Sequence, residues 1–69
     1  MTEQKQLVQR KINQLVFLHA QHVDNQYGKG VVNQDAEYKR LYADWQAGLI
    51  TLDNIEEDIA EYLKLRENA

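Results

Sequence analysis

Trp45-Gln46-Ala47-Gly48-Leu49-Ile50-Thr51-Leu52 is the stretch on which the fold turns. Before it, Tyr38, Leu41, Tyr42 and Trp45 fall at helical spacing; after it, Leu52, Ile55, Ile59, Tyr62 and Leu63 do the same. Between the two sets stand Gly48, able to adopt the positive φ that ends a helix, and Thr51, whose hydroxyl can accept from the first free N–H groups of the next one. The stretch therefore predicts a helix over about 34–47, a short turn, and a helix over about 52–66. Joined so tightly, these two must form an antiparallel or angled hairpin whose apolar stripes face each other. Asn33 or Asp35 offers the cap for the first of them. In the second, Asp53, Glu56, Glu57 and Asp58 suit the positive end of the helix dipole, and Lys64 and Arg66 suit its negative end.

Upstream, Val8, Ile12, Leu15, Val16, His19 and Val23 recur at helical spacing, and Leu7, Leu18 and His22 widen the stripe. They predict a long first helix over about 3–25, capped by Thr2. Asn25-Gln26-Tyr27-Gly28-Lys29-Gly30 ends it, and 25–33 reads as a glycine-containing loop. The chain has no proline, and only the brief Val31-Val32 pair hints at a strand. The fold class is all-α: one domain over 1–69, three helices, the long first packed on the hairpin of the other two.

Composition bounds the function more than it names it. At 69 residues there is room for one core, and a chain of this size buries only about 60% of the surface its unfolded form exposes. Cysteine is absent, which removes disulfides, thiolate metal sites and thiol catalysis, and serine is absent as well. No apolar run approaches the roughly 20 residues a membrane helix needs. The start, Met1-Thr2-Glu3-Gln4-Lys5-Gln6, lacks the basic and then apolar order of a secretory signal, so the expected location is cytoplasmic. Net charge is −3, unevenly spread: residues 1–34 hold four cations against Glu3 and Asp24, whereas residues 35–69 hold nine acids against four cations.

His19 and His22 are the residues closest to metal chemistry. A spacing of three puts both imidazoles on one side of a helix, where Asp24 or a residue from another helix could complete a zinc or nickel site. They are weak metal candidates: the sequence around them lacks the glutamate and third ligand of a metal motif, and His19 sits mid-stripe, which predicts packing. The carboxylates of the third helix, Asp53, Glu56, Glu57, Asp58 and Glu61, follow a solvated-face pattern. Gly28-Lys29-Gly30 lacks the preceding strand and following hydroxyl of a phosphate loop. No catalytic set, metal site or cofactor is expected, and the chain is read as a non-enzyme.

A helix-turn-helix reading meets charge of the wrong sign. The N-terminal residues of the third helix would face phosphates with acids, so nucleic acid is an unfavoured partner. The same acids leave open the inverse, a regulator that mimics nucleic acid. Gln46-Ala47-Gly48-Leu49-Ile50-Thr51, followed by Ile55 and acidic residues, resembles the turn of the short helical-hairpin module called the SHOCT domain, and the resemblance covers about residues 38–65. It implies an oligomerisation or docking role with Gly48, Ile50 and Thr51 as structural residues. From the residues themselves, Phe17 lies opposite the centre of the first apolar stripe, and a helix of more than 20 residues offers more apolar surface than a short hairpin shields. The expected function is protein–protein interaction or oligomerisation, with a homodimer or a larger protein as partner and Val8, Ile12, Leu15, Phe17, Tyr38, Tyr42 and Trp45 as contact residues. Small size and amide richness suggest a bacterial or phage accessory protein.

Overall fold

Turn chemistry sets the helices apart, and their observed ends follow it. The computed structural model describes residues 2–67, with side chains from residue 4. α1 spans Thr2–Tyr27, α2 Gln34–Gln46 and α3 Leu52–Glu67, an all-α arrangement of three helices. α1 runs two residues past its predicted end because nothing stops it before Gly28. There φ reaches 103° and the chain leaves helical geometry, while the Gly28 N–H still donates to the Asp24 carbonyl at 2.9 Å. The loop accordingly starts at Gly28 and not at Asn25. The predicted cap at Thr2 rests on a side chain outside those described.

Of the two caps offered for α2, Asn33 is the one used: its Oδ1 accepts from the Ala36 N–H at 3.1 Å. Asp35 falls inside the first turn, where its charge meets the dipole. At the far end, Leu49 N–H donates to Asp44 O at 2.9 Å and Gly48 N–H to Trp45 O at 3.1 Å, with Gly48 at φ 78°. This is a Schellman closure, which needs a residue without a Cβ at the left-handed position. Thr51 and Asn54 then cap reciprocally: Thr51 Oγ1 accepts from Asn54 N–H at 3.2 Å, and Asn54 Oδ1 accepts from Thr51 N–H at 3.0 Å. Asparagine stands here where a capping box ordinarily has glutamate or glutamine.

α1 is the spine of the core. Its Val8, Ile12, Leu15, Val16 and Leu18 join Ile55 and Ile59 of α3 in one buried cluster, in which Val8 and Ile12 are 0% exposed. Full burial of a side chain of this size contributes about 1.5–3 kcal/mol. α2 buries no residue completely. Instead Tyr38, Leu41, Tyr42 and Trp45 lie half-buried against the cluster, with the Tyr38 and Tyr42 rings stacked at 6.0 Å and Tyr42 tilted on Trp45 at 5.7 Å.

Both hairpin helices pack chiefly on α1 and touch each other little, so their stripes do not face one another as the tight turn had implied. The reason is the width of the α1 stripe. Leu18 and Val16 stand about 160° apart around the helix at 100° per residue, too wide for one helix to cover. α2 and α3 therefore divide it, one on each flank. Two details of the predicted stripes shift with this arrangement: Ala20, outside the predicted set, is 3% exposed, and Leu63, inside it, is 39% exposed. No helix among the described residues is long and apolar enough to cross a membrane.

Candidate functional site: an imidazole-floored cleft and the surface around it

Because α2 and α3 straddle α1 without closing on each other, a cleft of about 380 Å³ opens between them. Its floor comes from α1, with Leu15, His19 and His22; α2 contributes Glu37, Arg40 and Leu41, and α3 contributes Asp58, Glu61, Tyr62 and Leu65. Three-residue spacing places His19 and His22 side by side, and the Tyr62 ring lies against both. The ring centroids are 5.7 Å apart at 52° for His19 and 5.6 Å apart at 56° for His22.

His19 Nδ1 stands 3.2 Å from Glu37 Oε2, near enough for an ion pair when the imidazole is protonated. Among the described residues this enclosed nitrogen has a charged neighbour but no hydrogen-bond partner. The Tyr42 hydroxyl is enclosed in the same unpartnered way. Arg40 reaches Glu37 at 4.0 Å and Asp44 at 3.9 Å, both at the edge of ion-pair distance and on an exposed side chain, where such pairs contribute little. The Tyr62 phenol is pushed above its ordinary ionisation range, first by burial and then by the negative charges of Asp58, Glu37 and Glu61. The cleft thus offers carboxylates, the Arg40 guanidinium, two imidazoles and the Tyr62 ring.

The sequence-predicted residues divide sharply in place. Val8 and Ile12 are enclosed in the core and Leu15 shows only at the floor of the cleft, so none of the three lies on the outer surface expected of a contact residue, which corrects their assignment. The physical reason is the division of α1 between α2 and α3, which uses up the centre of its stripe. Tyr38, Tyr42 and Trp45 are half-buried against that core. Phe17 is 52% exposed on the opposite side of α1. His19 and His22 do share a side, but Asp24 does not join them. Two residues past His22, it stands about 200° around the helix, and it borders a second, wider opening of about 610 Å³ at the C-terminal ends of α1 and α3. Among the described residues no three histidine, aspartate or glutamate side chains come together as a metal site requires.

Several participants were not legible in advance. Glu37, Arg40 and Tyr62 reach the cleft by the docking of separate helices, and no spacing within one helix announces such a meeting. Leu49 and Leu65 are 74% and 50% exposed, apolar side chains that the fold leaves outside. Asp53, Glu56, Glu57, Asp58 and Glu61 are all exposed, as their pattern along α3 predicts. No protein-family model, curated protein or solved structure matches this chain.

Proposed function

We propose that the chain is a non-catalytic docking module that binds another protein or a second copy of itself. The observation that carries this reading is the set of apolar side chains left outside the core: Phe17 on α1 and Leu63 and Leu65 on α3. A domain this small stands close to its stability threshold, and a partner that binds only the folded form adds stability by mass action. Open clefts in a chain free of serine and cysteine fit recognition better than reaction. The resemblance of residues 38–65 to the SHOCT hairpin points the same way.

The test is a photo-crosslinking residue placed singly at Phe17, at Leu65 and, as a control, at Ala43, which is exposed on α2. In living cells, positions 17 or 65 are expected to give covalent adducts of discrete mass and position 43 none. Absence of adducts from both 17 and 65 would overturn the reading. A second reading, a nucleic-acid mimic received by a basic partner, draws on the five exposed acids of α3, which form no ion pair among the described residues. It requires adducts from a probe at Glu57 that disappear in about 1 M salt, where the Debye length is about 3 Å.

A further inference from the structure

The outer face of α1 is self-complementary. Phe17 stands about 140° around the helix from Ile12 and about 200° from Leu15, and so points away from the core. Arg10 lies seven residues before it and Asp24 seven residues after it. Seven residues make two turns less about 20°, so the three side chains form one line, with each charge about 10.5 Å from the phenylalanine. Arg10 is exposed and Asp24 partly so, and neither belongs to an ion pair among the described residues. The surface between them is uncharged, with Asn13 and Gln14 exposed and Gln21 partly so.

The geometry points to a second copy of this chain as the occupant of that face, with α1 against α1 in an antiparallel, two-fold symmetric contact centred on Phe17. The inference rests on the docking reading above and names its partner. In such a pair each residue meets the one equally far on the other side of position 17. Arg10 meets the partner's Asp24, and Asp24 meets the partner's Arg10. Asn13 meets the partner's Gln21, amide to amide. The two phenylalanines meet on the axis, each taking out of water the apolar surface the monomer leaves exposed.

Charge also selects the direction. A parallel pair would set Arg10 on Arg10 and Asp24 on Asp24, and like charges in close contact reject that alternative. An isologous contact consumes the same patch on both copies, so assembly closes at two. The strip is about 21 Å long, and a single helix pair of that length buries less than the roughly 1,200 Å² of a stable interface. Association is therefore weak and visible on dilution.

Sedimentation of the intact chain from about 10 μM to about 1 mM is the test. The expected result is a monomer passing to a dimer and no further. Arg10→Glu and Asp24→Arg should each weaken dimerisation by about tenfold, since each turns two attractions into two repulsions. The double variant Arg10→Glu with Asp24→Arg should restore it, and circular dichroism confirms that each variant is folded. A monomer throughout the range, insensitivity to the single reversals, or no recovery in the double variant each overturns the pairing. Photo-adducts from position 17 decide what falls with it: adducts of another mass would leave docking standing while the self-pairing fails, whereas no adducts from 17 or 65 would remove both.

Discussion

Ile12 and Phe17 are five residues apart on one helix, and the structure assigns them opposite fates, 0% and 52% exposed. Replacing each by alanine therefore separates interior from surface. For Ile12→Ala the loss of a fully buried side chain, with the cavity it leaves, costs about 2–5 kcal/mol. For Phe17→Ala only about half of a full burial, itself about 1.5–3 kcal/mol, is given up. Alanine's better helix propensity returns about 0.5 kcal/mol of that, so the net cost falls to about 0.3–1 kcal/mol. A chain of 69 residues is held together by about 3–10 kcal/mol in all, so Ile12→Ala is expected to leave much of the population unfolded while Phe17→Ala leaves it folded. Ile12→Val, at about 0.5–1.5 kcal/mol, gives a measurable intermediate step. Urea unfolding followed by circular dichroism reads all three, at about 10 μM so that mass action from self-association adds little. A Phe17→Ala loss as large as that of Ile12→Ala, with unchanged denaturant slope, would refute the assignment of the two faces and with it the surface on which docking depends.

The α2–α3 turn gives two further expectations. Thr51→Ala removes the acceptor for the Asn54 N–H at 3.2 Å and should cost about 0.5–2 kcal/mol. Adding Asn54→Ala should cost less than the sum of the two single changes, because each cap supports the other; strict additivity in the denaturation cycle would contradict the reciprocal cap. Gly48→Ala should cost about 1–2 kcal/mol from the left-handed φ of 78° alone, since an added Cβ meets nothing within 4 Å. Gly48→Asn should lose less, and equal losses would show that crowding and not conformation sets the requirement. For Tyr62 the raised phenol pKa means the folded chain favours the neutral form. Its contribution to stability is intact below the usual value near 10 and is lost as pH rises through the higher folded value. The difference in phenolate absorbance between the chain and Tyr62→Phe should show late ionisation that moves earlier in Asp58→Asn; ionisation at the ordinary value would contradict the enclosed, acid-lined setting.

Much of the architecture was legible in the chain because the signals are local. Gly48, Asn33 and Thr51 act on the hydrogen bonds of their own neighbours, and the 3.6-residue recurrence of Val8, Ile12, Leu15 and Val16 needs no knowledge of what they pack against. The extension of α1 to Tyr27 marks how weak an asparagine or glutamine is as a stop beside a glycine. Gln26 and Tyr27 remain helical because the i to i−4 bonds continue at little cost until φ turns positive at Gly28.

Periodicity together with the capping and turn residues determined that there are three helices, roughly where they end, and which side of each is apolar. Only the tertiary structure decided that α2 and α3 share α1 between them instead of meeting each other, and this is what buries Val8, Ile12 and Leu15, opens the cleft over His19 and His22, and brings Glu37 and Tyr62 to it. The physical reason is that helix existence follows from bonds between residues three and four apart, whereas the docking of helices follows from the sum of many small contacts between side chains far apart in the chain.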